Sequence, residues 1–309
     1  MGNQTTKKPF NILSFDGGGV RGIIEACLLE RIEARHPNLL RDVDLLAGTS
    51  TGGIIALGLA AGKSPAALRE MYQVASKDIF SETLFGRFKD FWKLLGADYK
   101  SDNLRKMLEG QFGNLLLGDL EKSVAITSFD LDNEAEGSNR SWKAKIFHNC
   151  KGLDADLDVR VVDLALRTSA APTYFPTSDG YIDGGVVANN PGMIALAQAL
   201  DPRNLNKDLR NINLLSLGTG RFRQHIEGAN LNWGLAKWAK YLLDILMDGS
   251  VDVVDFECKQ ILRDKYYRLN PQLPHDYPLD DWKNVPTLLT VAQEIDIEPV
   301  VLWLEKNWK

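Results

Sequence analysis

Twice in its N-terminal part the chain runs a short apolar segment into a glycine-rich turn and out again as a helical pattern. Phe10 to Phe15 leads into Asp16-Gly17-Gly18-Gly19-Val20-Arg21-Gly22, after which Ile23, Ile24, Cys27, Leu28 and Ile32 recur on one side of a helix. Val43 to Ala47 leads into Gly48-Thr49-Ser50-Thr51-Gly52, and Gly53 to Ala61 continues as a helix of small residues that can lie close against a sheet. Strands alternating with helices in this way build crossover units, so the pattern predicts an α/β fold on a largely parallel sheet. Ser64-Pro65 reads as an N-cap followed by proline at the first helical position, which starts a further helix running towards Ile79.

Further strands are expected at Val124 to Leu131, Ala144 to Phe147, Tyr181 to Asp183 and Ile212 to Leu217. A helix is expected at Asp163 to Ser169, an exposed hairpin loop at Asn133 to Ser141, and a mainly helical C-terminal third. No repeat, low-complexity tract or linker divides the chain, so one domain over residues 1–309 is expected, with a motif-bearing core at about 10–220 and a helical part at 221–309.

With 44% hydrophobic and 25% charged residues the chain can bury a core, which excludes disordered, collagen-like and coiled-coil classes. The 41 acidic and 36 basic residues are spread without a basic block, which argues against a nucleic-acid polymer as partner. Cys27, Cys150 and Cys258 share no metal or redox spacing and read as reduced, buried thiols. No apolar run is long enough to cross a bilayer and the N-terminus lacks a signal-peptide core, so a cytoplasmic protein is expected. Met1 to Thr6 fits the spacing of an N-myristoylation signal, followed by Lys7 and Lys8, though such a match is common by chance.

Gly48 to Gly52 is a G-x-S-x-G between strand and helix, the context in which that motif forms a nucleophile elbow. Gly48 and Gly52 would relieve crowding at the turn, and the helix N-terminus behind Ser50 favours negative charge there. A serine hydroxyl needs a base, and Tyr181-Ile182-Asp183-Gly184-Gly185 ends a short strand with a carboxylate that could serve, although an ordinary Asp-Gly turn reads the same way in isolation. Consecutive amides at Gly17 to Gly19 form an anion pocket suited to a tetrahedral oxyanion. Gly17, Gly19 and Gly22 also satisfy G-x-G-x-x-G, but Asp42 and Asp44 stand at the start of the second strand, where a dinucleotide site wants an acid at its end. A phosphate-binding P-loop fails for want of Gly-Lys-Ser or Gly-Lys-Thr.

Together, Asp16 to Gly22, Gly48 to Gly52 and Asp183 to Gly185 resemble, in order and spacing, the motifs of the patatin-like phospholipases. Thr168 to Pro176 and Asn189-Asn190-Pro191 resemble the stretches flanking the family's aspartate, and the likeness runs from about Asn11 to Gly220. The resemblance implies a three-layer α/β/α fold and a Ser-Asp dyad without histidine. Ser50 attacks an ester carbonyl, Asp183 takes its proton, and Gly17, Gly18 and Gly19 donate to the oxyanion with Arg21 close by. For Arg21 an ion pair with Glu25 is the alternative. A rival Ser-Asp-His triad would need His225 or His275, which read, like His36, as exposed loop residues, while His148 could face either way on its strand. Gly218-Thr219-Gly220 reads as a turn near the same sheet edge.

What the resemblance implies for function is a phospholipid or other acyl-lipid substrate at a membrane surface, with no cofactor and no metal. No calcium loop with alternating acidic ligands is present, so hydrolysis is expected to be calcium-independent. Some bacterial members of the family are effectors switched on by a cyclic nucleotide during phage infection, which makes a small-molecule activator one alternative. A non-catalytic lipid-binding or storage protein is the other. Phe80 to Tyr99 has the pattern of an amphipathic lid, read evenly against a core segment. Leu231, Leu235, Trp238, Leu242, Ile245 and Leu246, flanked by Lys237 and Lys240, fall at helical spacing and are expected to face the core. Trp282, Trp303 and Trp308 read as core, as an activator site or as a homo-oligomer surface.

Overall fold

The computed structural model describes residues 8–80, 101–152, 154–228 and 231–308. The N-terminal myristoylation-like stretch and the lid pattern at Phe80 to Tyr99 lie outside the described residues, apart from the backbone of Phe80.

Among the described residues, seven strands form one sheet: β1 (Phe10–Phe15), β2 (Leu45–Thr49), β3 (Ser123–Asp130), β4 (Lys143–His148), β5 (Tyr181–Asp183), β6 (Ile212–Leu217) and β7 (Tyr266–Leu269). Their order is β4-β3-β2-β1-β6-β7, with β5 paired to β3. The pairs β1 to β2, β1 to β6, β2 to β3 and β6 to β7 are parallel; β4 and β5 run antiparallel to β3. The central strand β1 is buried at every position, as a strand covered by helices on both faces must be. The expected α/β fold with a mostly parallel sheet is what the chain adopts.

The helices are α1 (Gly22–Arg35), α2 (Thr51–Ala60), α3 (Pro65–Phe80), α4 (Asp102–Phe112), α5 (Val161–Thr168), α6 (Gly185–Ala188), α7 (Gly192–Leu200), α8 (Leu235–Leu262), α9 (Val285–Glu294) and α10 (Glu298–Asn307). One core cluster joins Leu13 and Phe15 of β1 to α1, α2, α3 and the C-terminal helices, ending at Trp308. A second, on the other side of the sheet, joins Ile12, Leu45 and Leu214 to Leu196 of α7 and Cys258 of α8. Alternate residues of β1 thus enter opposite layers, as a pleated strand requires. Ser64 caps α3 through its hydroxyl, which accepts the Ala67 N–H at 3.2 Å.

Several expectations shift. The second strand begins at Leu45, two positions after Val43, and α2 starts at Thr51 directly behind the serine. In the C-terminal part, expected to be mainly helical, β7 adds an edge strand that the sequence reading does not include. Trp308 is buried, its indole N–H donating to the Leu39 carbonyl at 3.1 Å, so it belongs to the core, and the half-buried Trp303 packs on it. All three cysteines are buried, with their thiols pushed up by burial, Cys258 to about 12. Leu242, Ile245 and Leu246 of α8, expected inside, are 45%, 45% and 60% exposed. Periodicity marks an apolar face but does not say that anything covers it. Among the described residues no helix is long and apolar enough to cross a membrane.

Candidate active site

The register of β3 brings the site together. Parallel β2 ends with Thr49 opposite Thr127, and antiparallel β5 ends with Asp183 opposite the next residue, Ser128. Two strands approaching from opposite directions therefore finish end to end along one neighbour. Ser50, one residue beyond Thr49, meets Asp183 there.

Buried hydroxyls hold this junction. The Thr49 hydroxyl donates to the Ala188 carbonyl at 2.7 Å, so the Thr127 hydroxyl, 2.7 Å away, donates to Thr49. The Thr168 hydroxyl accepts the Ser50 N–H at 2.9 Å, and the Thr168 carbonyl accepts the Gly184 N–H at 3.2 Å. Thr49, Thr127 and Thr168 are fully buried, and nothing in their local sequence marks them as supports of the site.

Ser50 has φ 53° and ψ −121°, a conformation that side-chain-bearing residues rarely adopt, and it stands at the N-terminus of α2. The elbow glycines are sterically required. A Cβ on Gly48 would lie 2.3 Å from the Gly52 carbonyl oxygen, and one on Gly52 would lie 2.4 Å from that of Phe15 and 2.5 Å from that of Asp16. Gly52→Ala is expected to destabilise the fold by about 3 kcal/mol or more, since the obstacle is backbone that cannot step aside. Gly110→Ala, at an exposed α4 position with open space around it, is expected to stabilise by up to about 1 kcal/mol. Urea midpoints of the two variants measure this.

The Asp183 carboxylate is buried, accepts the Gly185 N–H at 2.7 Å and accepts the Ser50 hydroxyl. Burial outweighs both hydrogen bonds and pushes its pKa from the ordinary 3.8 up to about 6. A carboxylate that still ionises below neutrality yet binds a proton this readily is suited to general base work.

The glycine loop stands opposite. Gly19 has φ +56°, and a Cβ there would meet the Leu279 carbonyl oxygen at 2.2 Å, so only glycine fits. The amides of Gly18 and Gly19 have no partner among the described residues, and both residues line the cavity. Gly17 corrects the expectation: its N–H donates to the Asn189 carbonyl at 2.9 Å and is not available to a substrate. Arg21 is also placed differently from the oxyanion role. Its Nε braces the loop on the Gly18 carbonyl at 3.4 Å, it does not line the cavity, and it forms no ion pair with Glu25. Glu25 instead accepts the Asp16 N–H at 2.8 Å. At the base of the loop Asp16 forms a buried bidentate pair with Arg268 of β7, which also donates to the Ser216 hydroxyl at 2.7 Å. Thr219 touches the loop, its hydroxyl donating to the Gly17 carbonyl at 3.0 Å.

Ser50, Asp183, Gly18 and Gly19 open on a cleft with a cavity volume of about 90 Å³. Its walls are mainly apolar: Ile54 of α2, Met71, Tyr72 and Ile79 of α3, Leu104 and Met107 of α4, Tyr174 and Phe175, and Met247 of α8. The Tyr72 hydroxyl donates to the Thr51 carbonyl at 3.0 Å, which ties α3 to the elbow. Among the described residues no histidine lines the cleft. His225 and His275 are exposed, His148 is buried on β4, and His36 is half-buried rather than exposed.

The model of the patatin-like phospholipase family matches residues 13–196. Protein teg of Priestia megaterium is 28% identical over 326 aligned residues, covering 97% of this chain and 99% of that one. A cGAMP-activated phospholipase of Pseudomonas aeruginosa is 30% identical, covering 88% and 81%. A cGAMP-activated phospholipase of Escherichia coli is 34% identical, covering 69% and 63%.

Proposed function

The chain belongs to the patatin-like phospholipase family, and from that premise we propose that it is a calcium-independent acyl hydrolase that cleaves phospholipid carboxyl esters through an acyl-serine on Ser50. The observation that carries this reading is the meeting of Ser50 with a buried carboxylate, Asp183, facing two amides without partners among the described residues, in an apolar cleft.

The sequence of steps follows from these contacts. Asp183 takes the Ser50 proton as Oγ bonds to the ester carbonyl carbon, and the amides of Gly18 and Gly19 receive the oxygen as it gains charge. Collapse of the tetrahedral intermediate expels the alcohol, which leaves with the proton from Asp183. Water then repeats the sequence on the acyl-serine, with Asp183 again the base, and releases the fatty acid. The cleft walls suit an acyl chain, and the exposed apolar face of α8, whose Met247 reaches the cleft, supports a peripheral position at a membrane surface.

The test is fatty-acid release from mixed phospholipid vesicles with and without a calcium chelator, together with fluorophosphonate labelling of the protein. Labelling and chelator-resistant release are the expected result. Absence of both from folded protein would leave the non-catalytic, lipid-binding reading. His225→Ala and His275→Ala are expected to retain release within about twofold, because neither side chain reaches the cleft; a large loss in either would replace the dyad with a triad.

A second reading concerns regulation. Two relatives at 30% and 34% identity are cGAMP-activated phospholipases, which supports a latent enzyme that needs a cyclic dinucleotide. Release that is low alone and rises on adding cGAMP would support it, and an unchanged rate would remove it.

A further inference from the structure

One polar side chain in the cleft is used neither by the dyad nor by the glycine loop. Asn189 is 6% exposed and lines the cavity, and its backbone carbonyl is the group that takes the Gly17 N–H. Its carboxamide makes no hydrogen bond to the described residues, and Oδ1 is shut away from solvent. A carboxamide with no partner among the described residues is free to serve a ligand or a reaction in the cleft.

Its position says which. A Cβ built on Gly17 would stand 2.2 Å from Asn189 Oδ1 and 3.4 Å from Ser50 Cβ. One built on Gly185 would stand 3.1 Å from Asp183 Oδ1 and 3.3 Å from Asn189 Oδ1. The carboxamide thus sits between the glycine that opens the loop and the second glycine after Asp183, close to both reacting side chains. Its oxygen is turned onto the Gly17 backbone, which leaves Nδ2 as the end that can reach a molecule in the cleft.

We propose that Asn189 Nδ2 is a catalytic hydrogen-bond donor to the oxyanion, completing on that side the set from which the Gly17 amide is withdrawn. The inference rests on the Ser50–Asp183 reading above. As Ser50 Oγ bonds to the carbonyl carbon and its proton passes to Asp183, the carbonyl π pair moves onto oxygen. That oxygen receives N–H groups from Gly18, Gly19 and Asn189. When the alcohol departs with the proton, the carbonyl re-forms and the donors return to their resting state. A neutral, prealigned donor in an apolar cleft strengthens as charge develops and adds no charge that would disturb Asp183.

The experiment compares Asn189→Ala and the near-isosteric Asn189→Asp with the wild type on a soluble p-nitrophenyl ester. It also measures affinity for a long-chain trifluoromethyl ketone, which adds to serine as a tetrahedral oxyanion, and for the unreactive product fatty acid. Both variants are expected to lose about 10²- to 10³-fold in kcat with KM within a few-fold. Affinity for the ketone should fall by the same factor, and fatty-acid binding should not change. Turnover near wild type in Asn189→Ala, a loss carried by KM, or a fall in kcat with undiminished ketone affinity would each overturn the assignment. Ser50→Ala run alongside separates the two levels. Labelling by fluorophosphonate that survives in Ser50→Ala overturns the dyad and this inference together, whereas labelling lost there with normal Asn189 variants overturns this inference alone.

Discussion

Replacing Ser50 with alanine is expected to lower fatty-acid release by about a millionfold and to abolish fluorophosphonate labelling, the size of loss that other serine hydrolases show when the nucleophile is removed. The effect should be chemical, not structural. Ser50 already holds a left-handed backbone, anchored by its N–H on the Thr168 hydroxyl, and alanine meets the same backbone constraint. The cleft and the Gly18 and Gly19 amides survive the change, so a rate about 10³- to 10⁴-fold above water is expected to remain. Loss of the hydroxyl also removes one of the two hydrogen bonds that hold the Asp183 pKa down, so the variant's carboxyl should titrate still higher than about 6. A loss of less than about tenfold, measured on protein with a wild-type melting temperature, would move the nucleophile elsewhere.

Much of this site is legible before any coordinates, and the parts that are not share a cause. Gly48 is dictated by backbone a few residues away, and Gly52 and Gly19 by the close approach of the Phe15 to Asp16 and Leu279 backbone, but each constraint acts on a single position and so leaves a glycine in a short motif. The pairing of Ser50 with Asp183 is set instead by β3, whose consecutive residues Thr127 and Ser128 receive two strands from opposite directions. Neither that register nor the carbonyl of Asn189 that captures the Gly17 amide has a sequence signature. The same holds for Arg268, which lies outside the family-matched segment and pairs with Asp16 across the chain. In the fold, α7 escapes a reading from sequence because Asn189-Asn190-Pro191-Gly192 looks like a turn, although proline and glycine here stand at the helix start. The strand β7 escapes it because four residues are too few for a period of two to show.

Asp183→Asn is the second large effect expected, and it has a pH signature that the serine variant lacks. An amide cannot take the Ser50 proton, so release should fall nearly as far as in Ser50→Ala. In the wild type, kcat/KM should rise with pH through about 6 and level off above it, because the dyad works only with Asp183 ionised. An unburied aspartate would place that limb near 4. The same displacement makes a stability prediction of opposite sign. The folded protein holds the Asp183 proton up to about pH 6 while the unfolded chain releases it near 3.8, so the contribution to stability is full below 3.8 and is lost as pH rises through 6. At pH 8 the buried charge therefore costs on the order of 3 kcal/mol. The amide side chain of the Asp183→Asn variant carries no charge to bury, so the substitution should raise stability at pH 8 and leave it nearly unchanged at pH 4. Urea unfolding of both proteins at the two pH values, beside a pH profile of p-nitrophenyl ester hydrolysis, measures the two consequences independently. A limb near 4 with no stability gain at pH 8 would mean that Asp183 is an ordinary solvated carboxylate and not the base of the dyad.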